Sequence, residues 1–329
     1  MRKLLILFLF LSVKLFAQDP HFTQNYLSTP LNVNPALTGV FSKGKTRFLT
    51  DFRTQWVSSA NPYSTTYLSA DFTKPKDKNN FNFGFSFMND KSLNGIINSN
   101  YISALGSYQM NLSKSDSDEV SNSLGIGSSI TYGSRIVQSS QLNFSNQYSF
   151  GEFNSSIPSG EIALSNLKPF ISLNVGLLYR YQHLTKNKVF TLGASCYNLN
   201  KPKQTLTSDP NQFLNARICI HANYEDRNQS GKKIISYSLI YQNQASVNYL
   251  QLGIISDFRF GNNDNPKKYL FGFGLYYRTN DAFCPVLRLA TGQFLLSTSY
   301  DVTTSELKKA PSSYRSMEMS LQYIFKKKK

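Results

Sequence analysis

The sequence predicts an all-β chain, a transmembrane antiparallel β-barrel of about 14 strands with an N-terminal arm and one long loop. Three observations lead there. From residue 44 onward, apolar side chains alternate with small or polar ones at period two. The alternating runs last about ten residues, the length a tilted strand needs to cross a bilayer. Beyond the N-terminus, no stretch is apolar for the roughly 20 residues of a helical span.

The elements follow in chain order. Arg2 and Lys3 precede an apolar run at residues 4–13, and Leu15-Phe16-Ala17 ends on a small residue. That is the pattern of a cleaved secretory signal over residues 1–17, and the run is too short for a membrane helix. Residue 18 is Gln rather than Cys, so no lipid anchor is expected there. An arm over 18–43 comes next, periplasmic or lumenal, in which Pro30 and Pro35 exclude a regular helix or a central strand. The barrel spans 44–325, and residues 326–329 form a basic tail.

Within the barrel, Phe81, Phe83, Phe85 and Phe87 alternate with Asn82, Gly84, Ser86 and Met88. Around Ile218 and Ile220 the alternating partners are Arg217, Cys219, His221 and Asn223, and Tyr269 to Arg278 repeats the pattern. A helix would scatter the four phenylalanines over every side. Strands are expected near 44–56, 62–73, 80–90, 96–112, 121–134, 168–183 and 187–199, then near 212–224, 233–243, 248–258, 268–279, 282–289, 292–300 and 315–325. Connectors rich in Asn, Asp, Lys, Ser and Gly separate them. The longest runs from about Arg135 to Leu167, and connectors of that size are usually functional or folded into a lumen. The final strand alternates Met317, Met319, Leu321, Tyr323 and Phe325 with polar residues, which resembles the sorting signal of outer-membrane barrels.

Composition bounds the function. Aromatic residues make up 14% of the chain although its mean hydropathy is negative. A barrel reconciles the two because only alternate residues face lipid. The net charge of +16 is spread over turns, leader and tail, with no arginine stripe among aromatics, so nucleic acid is not an expected partner. A basic exterior suits anionic headgroups or an acidic partner. Cys196, Cys219 and Cys284 are too few for a disulfide framework and read as small wall residues. No H-E-x-x-H, G-x-S-x-G, phosphate-binding glycine loop or Cys/His metal spacing occurs, so no cofactor, metal site or catalytic residue is expected. His221 reads as a lumenal hydrogen-bonding group and His183 as a solvated strand end. Glu152 and Glu161 form only a bare carboxylate pair.

Several short segments carry a resemblance. The arm holds Asp19-Pro20-His21-Phe22-Thr23-Gln24-Asn25-Tyr26 and then Pro30-Leu31-Asn32-Val33-Asn34-Pro35-Ala36. Downstream come Phe52-Arg53-Thr54-Gln55-Trp56, Ser159-Gly160-Glu161, residues 198–204, Tyr277-Arg278-Thr279-Asn280-Asp281-Ala282-Phe283 and Ser299-Tyr300-Asp301. In this order they resemble the PorP/SprF family of type IX secretion outer-membrane proteins. Val57 stands where that family often has Pro after Gln-Trp.

The resemblance implies a non-enzymatic component of a Bacteroidota secretion and gliding system in the cell outer membrane. It would support secretion and surface attachment of an adhesin through that adhesin's C-terminal domain, alongside periplasmic ring or lipoprotein components. A passive porin or solute transporter is the alternative. Candidate partner or lumen contacts are Asp19, Pro20, Gln24, Asn34, Pro35, Arg53, Gln55, Trp56, Glu161, Arg278, Asp281, Tyr300 and Asp301. Arg53 and Arg278 are expected to pair with acids such as Asp51 or Asp281, and Gln251→Arg is expected to cost far less than Ile218→Arg on the lipid face.

Overall fold

The computed structural model describes residues 22–41, 44–57, 62–76, 79–113, 119–138, 142–149, 151–154, 156–158, 160, 168–204, 213–261, 268–305 and 315–325. The expected leader, the tail, Asp19, Pro20, Glu161 and part of the long connector, including 161–167, lie outside them.

Alternation becomes sheet as the sequence predicts. The strands are β1 (Thr46–Gln55), β2 (Tyr63–Lys76), β3 (Asn79–Ser92), β4 (Ile97–Asn111), β5 (Val120–Val137), β6 (Tyr148–Ser149), β7 (Glu152–Phe153) and β8 (Phe170–His183). They continue with β9 (Lys188–Tyr197), β10 (Arg217–Arg227), β11 (Lys233–Gln244), β12 (Val247–Phe260), β13 (Tyr269–Arg278), β14 (Ala282–Thr291), β15 (Phe294–Thr303) and β16 (Ser316–Phe325). All except β6 and β7 form one closed antiparallel barrel, each strand paired to its chain neighbour, with β5 against β8 and β1 against β16. Closure leaves the barrel no edge strand.

The two faces separate as the period demands. Phe83, Phe85, Ile126, Leu177, Ile218, Ile220 and Phe273 point outward and are exposed, while Asn82, Arg217, Cys219, His221 and Asn223 are buried inside. Outward rings cluster at the end that holds both barrel termini. Phe48 meets Phe325 and Phe72, Phe81 meets Tyr108, and Phe294 meets Tyr323, a girdle of the kind that marks a membrane interface.

The two ends differ. Connectors at the terminal end are short, such as 77–78, 184–187 and 292–293. The opposite, loop end carries 138–169, 198–216 and 304–315.

Three local expectations change. Residues 135–137 belong to β5, and the connector that follows contains a one-turn 3-10 helix (Ser145–Gln147) and the β6–β7 hairpin. Ladder pairing of β10 begins only at Arg217. Before it, Phe213 bridges Lys203 and the Leu214 amide donates to the Pro202 carbonyl, which turns Leu214 inward. Gln251 does face the lumen, yet it is fully packed there, for the reason given below.

Candidate functional site: an arm wired into the lumen

A 14-stranded barrel is too wide for its own side chains to fill. In this chain residues 22–40 occupy the interior. The segment is compact rather than extended: Pro30 opens the one-turn helix α2 (Pro30–Val33), which follows the one-turn helix α1 (Asn25–Ser28). A proline is tolerated at a first helical position because the missing amide there has no helical partner. Asn34 then caps a 3-10 turn (Pro35–Leu37), its Oδ1 accepting from the Ala36 amide at 2.8 Å.

So short and irregular a segment leaves most backbone groups without internal partners, and burial makes each costly unless it is paired. The barrel wall supplies the donors. The Thr23 carbonyl accepts from Gln251 at 2.6 Å, Leu31 from the Tyr197 hydroxyl at 2.7 Å and Asn32 from Arg217 at 3.0 Å. Val33 accepts from Ser195 at 2.7 Å, Ala36 from Gln109 at 2.7 Å and Thr38 from Ser107 at 2.9 Å. At the exit, the Gly39 amide donates to Asp71 at 2.7 Å, and Arg47 holds that carboxylate through two bonds of 2.9 and 2.8 Å.

One end of the arm meets a buried ionic cluster. Arg53 and Glu318 are each 1% exposed and Asp301 is 2% exposed. Arg53 contacts Asp301 at 2.7 Å and Glu318 at 3.2 Å. Arg278 contacts Asp301 at 2.6 Å and Asp281 at 2.6 Å. Thr23 sits among them: its hydroxyl accepts from both arginines and donates to Asp301 at 3.1 Å. The Thr23 and Gln24 amides both donate to Glu318, the latter at 2.8 Å. Ser297 donates to the Gln24 side chain. The arm therefore adds partners to Arg53, Arg278, Asp301 and Glu318, as buried charges require, although Arg53 Nε has none among the described residues.

A second contact lies mid-barrel. Asn34 donates to the Leu177 carbonyl at 2.9 Å and sits 3.1 Å from His221 Nε2, the lumenal hydrogen-bonding role expected of that histidine. Pro35 and Ala36 press on a wall without side chains: a Cβ at Gly127 would fall on the Ala36 backbone, and one at Gly176 on the Asn34 amide oxygen.

Of the candidates read from sequence, Gln24, Arg53, Arg278, Asp281 and Asp301 meet in the ionic cluster, and Asn34 and Pro35 sit in the mid-barrel contact. Gln55 ends β1 at the loop end, and Trp56 follows it with its ring 5.1 Å from Tyr63. Tyr300 lies on the outer face, exposed. The pairing of Arg278 with Asp281 is met, but Arg53 takes Asp301 and Glu318 instead of Asp51. The register puts Glu318 directly opposite Arg53 and sets Asp51 against Ser320. Glu318, Thr23 and Arg217 were missed as site residues. The inward phase of Glu318 among Met317, Met319 and Leu321 was the available signal, since a lone acid on a polar lumenal face needs a cation.

The sequence profile of the type IX secretion system membrane protein PorP/SprF matches residues 15–323. The chain belongs to the PorP/SprF family. The match covers both the arm and the barrel, so the wired arm is part of what PorP/SprF membership spans here. No protein of curated function matches the chain. Among solved structures, the PorP/SprF barrel is similar to a deltaS2S3 mutant of the monoaromatic hydrocarbon channel TodX. The TM-score is 0.56 at 10% identity, over 89% of this chain and 93% of that one. The monoaromatic hydrocarbon channel CymD superposes with a TM-score of 0.50 at 11% identity, over 91% and 93% of the two chains. These are likenesses of fold, and they agree with an outer-membrane barrel.

Proposed function

We propose that this PorP/SprF protein is a non-enzymatic docking component that supports secretion and surface attachment of a partner adhesin, in a machine that also serves gliding motility. The observation that carries the reading is the wired arm. A lumen whose wall donors are committed to six arm carbonyls is built to hold polypeptide, and it has little left to conduct solute. With both barrel termini periplasmic after removal of a leader at 1–17, the loop end faces the cell exterior, where an adhesin would be retained. The short terminal end then faces periplasmic ring or lipoprotein components. Deleting the gene tests this: the neighbouring adhesin should be lost from the surface, by immunofluorescence of intact cells, with its transcript unchanged. An adhesin retained at normal surface density would overturn the reading.

A further inference from the structure

The outer surface changes character at the loop end of β8, β9 and β10. On β8 the outward apolar residues stop at Ile171, and Lys168 precedes them. Past β9 they stop at Leu199, and Lys201 and Lys203 follow. All three lysines are exposed, and residues 168–204 and 213–224 contain no acid. Among the described residues the one lysine in an ion pair is Lys188, with Asp226, at the opposite end of the barrel.

The segment that carries Lys201 and Lys203 is held to the wall. The Leu199 amide donates to the Leu173 carbonyl at 2.9 Å. The Asn200 side chain accepts from the Leu173 amide at 3.0 Å and donates to the Ile171 carbonyl at 2.8 Å, in the manner of a strand partner. Asn198 and Lys201 have φ of 56° and 43°, and the Lys201 amide closes their turn on the Asn198 carbonyl at 2.9 Å. Asparagine adopts that backbone readily, whereas lysine does so under strain. Phe213 then bridges Lys203, whose Nζ lies 5.8 Å from the centre of that exposed ring.

Beside the lysines, Tyr132, Ile171, Leu173, Leu199 and Phe213 are all exposed, with Tyr132 paired in register to Ile171. Cations at the rim above an apolar strip with aromatic members complement an amphiphile that has an anionic head and acyl chains. The cations are set over β8, β9 and the approach to β10, two strand spacings or about 10 Å, which suits a head with more than one phosphate. With the loop end outward, the lipid against this strip is that of the outer leaflet.

We propose that the strip and its three lysines bind lipid A, the phosphorylated and multiply acylated disaccharide of that leaflet. Its phosphates sit on Lys168, Lys201 and Lys203, and its acyl chains lie along the strip. From the docking reading the site takes only the outward direction of the loop end.

Capture of fluorescent lipids by the immobilised full chain in neutral detergent micelles tests it, with bisphosphorylated lipid A, the same lipid dephosphorylated, and phosphatidylglycerol. Lipid A is expected to bind at least about tenfold tighter than either of the others. The triple variant Lys168→Gln, Lys201→Asn, Lys203→Gln should erase that preference, and asparagine at 201 suits the left-handed turn. Lys45→Gln with Lys74→Gln, at the terminal end, should leave it unchanged. Equal capture of lipid A and its dephosphorylated form overturns the proposal, and so does phosphatidylglycerol binding as well as lipid A, which would show a general anionic surface. A preference that survives in the triple variant, or that the terminal pair removes equally, also overturns it. Should the triple variant not fold, salt decides in the native chain. At 1 M, where charges are screened within about 3 Å, the preference should vanish, and an unchanged preference overturns the proposal. Loss of the adhesin in the deletion strain is read independently, so the docking role stands if the lipid site falls.

Discussion

Glu318 shows how much one side chain holds. It lies in β16 opposite Arg53, and its two oxygens take the Arg53 guanidinium, the amides of Thr23 and Gln24 and, at 3.4 Å, the Ser28 hydroxyl. Truncating it leaves Arg53 and Arg278 to share the single carboxylate of Asp301 and strands two buried amides. Glu318→Ala should therefore lower stability by about 3–5 kcal/mol in reversible urea unfolding from phospholipid vesicles. Glu318→Gln, which keeps one acceptor oxygen, should cost less. A second pair of substitutions separates the two faces. Ile218 is 47% exposed on the outer face, and an arginine there should cost about 2–4 kcal/mol at mid-bilayer depth. The mild cost expected for Gln251→Arg does not survive the structure. Gln251 is 2% exposed, donates to Thr23 and is paired in register with Arg278, so a new cation would displace the arm and face like charge. Both variants should destabilise in the same assay, but only the Gln251 one should also loosen the arm to added protease. An Ile218→Arg variant as stable as the native chain would remove that face from the membrane.

At the scale of elements, the arm and the wall are each incomplete alone. The arm is two helical turns and a 3-10 turn, far below the length at which helices persist in water, so its conformation is imposed by the wall. The wall in turn carries Gly127, Gly176 and Gly193 where Asn34, Pro35 and Ala36 approach, and a side chain at these positions would occupy the space the arm takes. Gly176→Leu should push the Asn34 turn out of its seat. The barrel should still form, because strand pairing does not need the arm at that point, but single-channel conductance in planar bilayers should rise from near zero to a measurable pore. A native chain that already conducts like an open porin, or a leucine variant that stays closed, would show that the arm is not the barrier.

Across the whole molecule, the three longest connectors, 138–169, 198–216 and 304–315, all gather at one end of the barrel. The periodic part of this organisation was legible in the sequence. Phe81 to Met88 and Met317 to Phe325 announce their faces within a few residues, because side-chain direction in a strand alternates whatever the strand pairs with. The motif residues Arg53, Arg278 and Asp301 were legible as polar groups in apolar surroundings. Their mutual contacts were not, since Arg53 and Asp301 stand 248 residues apart and meet only across β16.

By itself, then, the chain's sequence determined which residues become strands, which faces meet lipid, and the family to which it belongs, all of which depend on local alternation and short ordered motifs. Only the closed barrel decided that Glu318 rather than Asp51 partners Arg53 and that Gln251 holds the arm. The physical reason is register: closing the sheet through β1 and β16 fixes which distant polar groups share a level of the lumen, and no local pattern carries that information.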